Sequence, residues 1–459
     1  MNKAAEIVER VSVPSVEKAH LQVEDGSYAP VKTPDGLPEL EDGALRQGGP
    51  PNIYSKEHVG LLVHYFGSGM IYSIIYSLVY PFLNNYLRMS GVATASASVL
   101  TALPYTLKPY YPDPKYAFVD PATLPAEVVA SFNKDAPGSG SKFVVLLIFA
   151  NLGMVMAFTA SGGTLVELSQ REPENVRGTL QAMIWVWRDF GGMIASALVG
   201  FGLNSADFGG SFDGSIGVSG LMIICTIVSV LTCLSGWYNI TEEKAPRLSL
   251  RAEAAKLFDL IQYKVVYYVL AFQLFKNMFA YIGVTAAYPI QSVWARVEPV
   301  NSSIATILTY IVSAGALTFV AKRGLHWNWR YIIIASQLSA IVIDMFPTFL
   351  TIWDVHRSQW FWLGVPLLEQ IPTNFSFIVS TFVMIEVMDI GNEATFYGLM
   401  SSVSSLASPF STVITKNIDA NFDLELELLQ ADTHYVRTQV TYAYLCHSPL
   451  EMEKQLLGQ

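Results

Sequence analysis

The sequence predicts an all-α membrane protein, and three observations carry that prediction. Of 459 residues, 52% are hydrophobic, and the mean hydropathy is +0.36. Only 14% are charged, where a soluble domain typically carries ~25%. The charges are bunched in the first 58 residues and in short connections, with long apolar runs between them. Runs of that length suit helices that cross a ~30 Å hydrocarbon core.

Residues 1–58 contain no apolar run and hold ten acids against six bases. They read as a disordered, acidic cytoplasmic tail and not as a signal peptide. The candidate spans are 59–82, 92–107, 143–166, 178–203, 216–240, 265–290, 302–321, 331–353, 360–385 and 393–415. A last apolar fragment, VTYAYLC at 440–446, is too short to cross and gives way to a polar tail at 447–459. The expected organisation is a helical bundle over 59–240, a basic cytoplasmic linker over 241–264, and a second bundle over 265–446. Within the linker, SLRAEAAKLFDLIQY places Leu250, Ala254, Leu257 and Leu260 at helical spacing and predicts a surface helix.

Basic residues assign sides by the positive-inside rule. The connection 241–264 holds Lys244, Arg247, Arg251, Lys256 and Lys264, the connection 167–177 holds Arg171 and Arg177, and 322–330 holds Lys322, Arg323 and Arg330. All three are expected on the cytoplasmic side. From residue 167 onward the sides alternate consistently. Before it they clash: an inside tail puts Lys108 inside, whereas span 143–166 needs the loop 110–142 outside. Either the N-terminus lies outside or a helix is lacking between Lys108 and Tyr110.

Several function classes fall away. The net charge of −10 gives no reason to expect a nucleic-acid partner. Cys225, Cys233 and Cys446 have neither metal nor disulfide spacing and read as small apolar filler. There is no phosphate-binding Gly-rich loop, no His/Cys metal cluster and no catalytic constellation. The chain reads as a non-enzyme without cofactor or metal, whose partners are the lipid bilayer and a small solute.

Charge inside a span is expensive, at ~2.5–3.5 kcal/mol on insertion scales, and it faces a cavity or a partner. Arg188 and Lys276 are the cations near the centre of an apolar span, and Asp189, Asp344 and Glu369 are acids at comparable depth. Two buried cations suit a carboxylate, with Arg as a planar fork and Lys as a point charge. Arg188, Lys276, its polar neighbour Asn277, and Glu369 are therefore the candidate solute-binding residues. Asp189 and Glu369 are the candidate coupling acids, Glu369 in a helix that Pro366 and Pro372 are expected to interrupt. Asp344, ahead of Pro347, reads as a packing acid. Trp185, Trp187, Phe272 and Phe275 are aromatics available for stacking, and Gly192, Ser196 and Gly200 recur every four residues as a close-packing stripe.

Four stretches together resemble the folate–biopterin transporter family, a branch of the major facilitator superfamily. They are LPYTLKP at 103–109, LVELSQREPENVRG at 165–178, WVWRDFGG at 185–192 and GNEATFYGLMSSVSSLASPF at 391–410. The resemblance runs over about 59–445 and implies two six-helix halves. On that pattern the chain is an incomplete copy, with one internal helix lost after Pro109 and the last one truncated after Cys446. Arg188 and Lys276 would then come from opposite halves. Relatives commonly carry an acid in the fourth helix, and AFTASGGTLVE has none before Glu167.

The resemblance implies secondary active, proton-coupled transport of a folate- or pterin-like anion, in the plasma membrane rather than an organelle. The alternatives are a degenerate or spliced membrane protein that transports nothing, and a facilitator-superfamily carrier of another small solute.

Overall fold

A computed structural model describes residues 44–78 except 47, individual positions between 82 and 104, and 140–239 except 174, 175 and 209. It further describes individual positions between 255 and 260, then 261–456 apart from 325–328 and 388–392. The junction at Lys108, the loop up to residue 139 and most of span 92–107 lie outside these residues, as do Leu250, Ala254, Leu257 and Leu260 of the expected linker helix.

The long helices among the described residues are α1 (Val59–Leu78), α2 (Gly140–Ser169), α3 (Thr179–Gly202), α4 (Gly217–Asn239) and α5 (Lys264–Ala280). They continue as α6 (Pro299–Phe319), α7 (Trp329–Ile352), α8 (Gln359–Val387), α9 (Glu393–Asp419) and α10 (His434–Leu456). Six stretches, α1 to α4, 300–323 and 331–352, are long and apolar enough to cross a membrane by length and composition. The result is an all-α membrane fold.

Three expectations are corrected. Span 265–290 is not one helix: α5 stops at Ala280, and the chain resumes as a short helix at Ala287–Pro289 and a π turn at Ile290–Trp294. The 440–446 fragment is not a short piece but part of a 23-residue helix, α10, that runs past Cys446 to Leu456, although α10 is not among the six stretches apolar enough to cross a membrane. Polar residues beyond the hydrocarbon can continue a helix, so falling hydropathy does not mark its end. Pro366 and Pro372 do not interrupt α8, which spans both. In lipid a broken helix would expose backbone groups that nothing there can satisfy, whereas a helix that holds its proline needs only local repair.

In the first bundle α1 is central. A side chain at Gly69 would collide with the Arg188 carbonyl oxygen on α3, and one at Gly191 with the Phe66 carbonyl oxygen on α1. The two backbones thus cross at the closest approach that small residues allow. Ile71 and Ile75 of α1 pack on Leu147, Met154 and Val155 of α2, and α1 also lies against α4. In the second group α5 pairs with α9, and α8 lies against α6 and α7. Val436, Val440 and Ala443 of α10 close a core with Ile290, Trp294 and Ile352.

Two seams join the groups. Ala182 of α3 packs with Leu317 of α6 and Ile378 of α8. Val166 of α2 packs with Leu270 of α5 and Phe396 of α9.

Loop carboxylates fasten the helix ends. Glu172 accepts the backbone N–H groups of Gly178 (2.7 Å) and Leu180 (2.9 Å), satisfying orphan donors at the start of α3. Asp432, in the left-handed region at φ 47°, receives a fork from each of two arginines. Arg357 donates at 2.6 and 3.0 Å, and Arg437 at 2.9 and 2.9 Å.

The two carboxylates respond oppositely to pH. Burial raises Glu172 to about 7, against its backbone hydrogen bonds and the Arg177 charge. The folded protein therefore keeps this proton where the unfolded chain releases it near 4.5, and this group's contribution to stability declines as pH rises between those values. Melting in detergent should fall from pH 5 to pH 8, and Glu172→Gln should flatten part of that slope; parallel curves for the two proteins would contradict it.

For Asp432, burial pushes upward but the arginine bonds hold it at about 2. Its stabilisation is present above pH ~4 and is lost as pH falls toward 2. Asp432→Ala should cost about 2 kcal/mol in a neutral-pH denaturation series, with the deficit closing in acid. A neutral substitution at pH 7 would show that the network is ornamental.

Candidate central site

The site is built around two neighbouring residues of α3 that face different ways. Successive helical residues are ~100° apart, so Arg188 and Asp189 cannot share a face. The guanidinium carbon of Arg188 lies 4.9 Å from the Tyr72 ring centroid, 4.9 Å from that of Trp185 and 6.0 Å from that of Phe158. Those distances place the cation among aromatic rings within cation–π range. Two ring contacts reach across the seams: Trp185 meets Phe377 of α8 edge-on at 4.7 Å, and Phe158 meets Tyr397 of α9 at 6.3 Å. Arg188 thus sits between the α3–α6–α8 seam and the α2–α9 seam. Ion pairs among the described residues include those of Arg46 and Arg171 with Glu167 and the cluster of Asp354, Asp432, Arg357 and Arg437, all away from Arg188.

Asp189 turns to the other helix group. It is 6% exposed and accepts a short hydrogen bond of 2.5 Å from the Ser313 hydroxyl of α6. Ser313 in turn accepts from the Asn374 side-chain amide of α8 at 2.9 Å. The relay Asn374–Ser313–Asp189 ties three helices together through polar groups that are all buried. A second polar tie joins Ser73 of α1 and the Tyr310 hydroxyl of α6 at 2.8 Å.

Both sets of contacts need α3 to be touched from two sides at once, which the adjacent Gly191 and Gly192 permit. Gly191 receives the α1 backbone, while a Cβ on Gly192 would sit 2.6 Å from the Tyr310 ring. Gly200 meets Ser303 of α6 in the same manner. The expected packing stripe Gly192, Ser196, Gly200 thus runs along the α3–α6 contact.

The other expected site residues are placed apart from Arg188. Lys276 donates to the Ser380 hydroxyl of α8 at 2.6 Å and shares no partner with Arg188 among the described residues. The side-chain nitrogen of Asn277 is buried with no hydrogen-bond acceptor among the described residues. Glu369 is half-buried on α8. Asp344 accepts from Thr348 one turn on, at 3.3 Å. Of the four aromatics, Trp185 alone borders Arg188; Trp187 meets Phe190, and Phe272 and Phe275 are 38% and 52% exposed. Sequence reasoning missed Tyr72, Phe158, Ser313, Asn374 and Tyr397. These are ordinary span residues, and only depth beside a charge distinguishes them.

No family model matches the sequence, and no curated protein matches it. Solved structures do. The human organic anion transporter MFSD10 (TETRAN) superposes with a TM-score of 0.62 at 10% identity, covering 88% of this chain and 99% of that one. The proton:xylose symporter XylE of the major facilitator superfamily, bound to 6-bromo-6-deoxy-D-glucose, gives 0.61 at 13% identity, covering 87% and 94%. A further D-xylose-proton symporter structure gives 0.61 at 13%, covering 87% and 95%.

The glycine pair offers a direct test. At Gly191 an added methyl meets backbone, which cannot yield, whereas at Gly192 it meets a Tyr310 ring that can turn. Gly191→Ala should therefore destabilise by more than Gly192→Ala, with the former near the upper end of the ~1–3 kcal/mol typical of overpacking. Thermal unfolding in detergent ranks the two, and the reverse order would contradict the geometry. Taken with the packed seams, the structural likenesses show that the chain has the all-α, two-bundle fold of the major facilitator superfamily.

Proposed function

We propose that the chain is a secondary transporter of a folate- or pterin-like anion, coupled to protons. The observation that carries this reading is Arg188: a cation held among Tyr72, Trp185 and Phe158, between the seams of the two helix groups. In folds built from repeats, solute sites lie near the midplane at the repeat interface. A guanidinium walled by rings suits a solute that is itself a planar ring bearing a carboxylate. The carboxylate takes the fork, and the ring lies against Trp185 or Phe158. Asn277, with an unused amide donor, and Lys276 supply further positive character on α5. Glu369 remains a candidate contact or coupling acid from α8.

Proton coupling is assigned to Asp189. Protonation would remove the charge that orders Ser313 and Asn374, and so loosen the tie between α3 and the helices α6 and α8. The neighbours' names accord with both parts: one is an organic anion transporter and two are proton symporters of a sugar.

Uptake of labelled folate and biopterin into proteoliposomes under an imposed pH gradient tests this reading. Arg188→Ala should lower folate uptake roughly 10- to 150-fold, the worth of a hydrogen bond to a charged group at ~1.5–3 kcal/mol, with insertion and melting unchanged. Arg188→Lys should recover only part, because it keeps the charge and loses the fork. Undiminished uptake by Arg188→Ala would overturn the assignment. Transport of a neutral sugar in place of either anion would make the chain a carrier of another solute.

A further inference from the structure

We propose that the groove on the outer side of the α3–α6 crossing is a binding site for one anionic phospholipid. The groove has a volume of about 690 Å³ and is walled by apolar side chains that include Phe190, Met193, Ile311 and Phe319. Three of these are well exposed, Phe190 at 40%, Ile311 at 51% and Phe319 at 44%. Phe190 lies two residues beyond Arg188, ~200° around α3, so the groove opens on the face opposite the aromatic box. Arg188 and its ring neighbours Tyr72, Trp185 and Phe158 do not line it, although Asp189 borders both. The polar side chains along the apolar part of its lining are already engaged, Asp189 by Ser313, Tyr310 by Ser73 and Thr318 by the Ala314 carbonyl.

One end of the groove differs from the rest. There α6 passes into a π turn over Val320–Gly324, and Lys322 and Arg323 line the groove. Both bases are exposed. They belong to the connection that the positive-inside rule assigns to the cytoplasm. From Tyr310 to Lys322 the helix rises ~18 Å, close to the ~15 Å depth of one leaflet's share of the hydrocarbon core. An apolar channel one leaflet deep, with two cations at the headgroup level, is complementary to an acyl chain that ends in a phosphate. Gly315 shapes the channel: a Cβ placed there meets nothing within 4 Å. The glycine leaves open space, so a side chain added there starts out into the groove with no protein atom against its Cβ.

Native mass spectrometry of the full chain in detergent, titrated with 1-palmitoyl-2-oleoyl phosphatidylglycerol or the matching phosphatidylcholine, reads the site. The wild type should retain one phosphatidylglycerol at least five-fold better than phosphatidylcholine. Lys322→Ala with Arg323→Ala should bring the two lipids level, by removing the headgroup contact. Gly315→Phe should lose both lipids, by filling the channel, while its melting temperature and elution volume stay those of the wild type. Equal retention of the two lipids by the wild type overturns the proposal. So does unchanged retention in Gly315→Phe. If no lipid is retained until residues 1–43 are removed, the groove belongs to the chain's own acidic tail and the proposal is likewise overturned.

Discussion

The structure depends on one helix being approached closely from two sides. In lipid there is little hydrophobic drive between helices, and association rests on packing and on polar contacts that find partners. Gly191 and Gly192 let α1 and α6 both reach the backbone cylinder of α3. Once those faces are committed, the orientation of every other α3 side chain follows from the ~100° step. Trp185 and Arg188 are turned into the space between the seams, Asp189 onto α6, and Phe190 outward.

That arrangement separates two electrostatic problems that adjacency in sequence would seem to merge. Arg188 and Asp189 could have neutralised each other across a bend. Instead the cation is given aromatic faces, and the acid is given the Ser313 hydroxyl, which the Asn374 amide holds in turn. Among the described residues neither charge forms an ion pair; the close partners are dipoles and ring quadrupoles. Such partners leave the cation's net charge in place.

Much of the fold was legible in the sequence because span length and charge spacing are dictated by the bilayer. The runs at 143–166, 178–203 and 216–240 appear as α2, α3 and α4 with edges moved by only a few residues. Arg188 was legible as a site candidate through the cost of its depth alone. Its surroundings were not, because Tyr72, Phe158 and Tyr397 carry no signal that sets them apart from other aromatics in apolar runs. Lys276 was grouped with Arg188 by depth, but depth does not fix direction, and its partner is Ser380. The end of α5 was not read from the sequence, although Gly283 and Pro289 are both breakers. Hydropathy stays high through them and hid the break. The reach of α10 was hidden for the opposite reason: its polar end lowers hydropathy without ending the helix.

The break after Ala280 also has a mechanical side. Ser411, Thr415 and Asp419 stand one above another on α9, four residues apart. Ser411 donates to the Met278 carbonyl, Thr415 accepts from the Gly283 N–H, and Asp419 accepts from the Thr285 N–H. The last turn of α5 and the non-helical stretch after it are thus stitched at three points to α9. The end of α5 is thereby coupled to α9: with these three bonds intact, residues 278–285 and the lower half of α9 hold one position relative to each other.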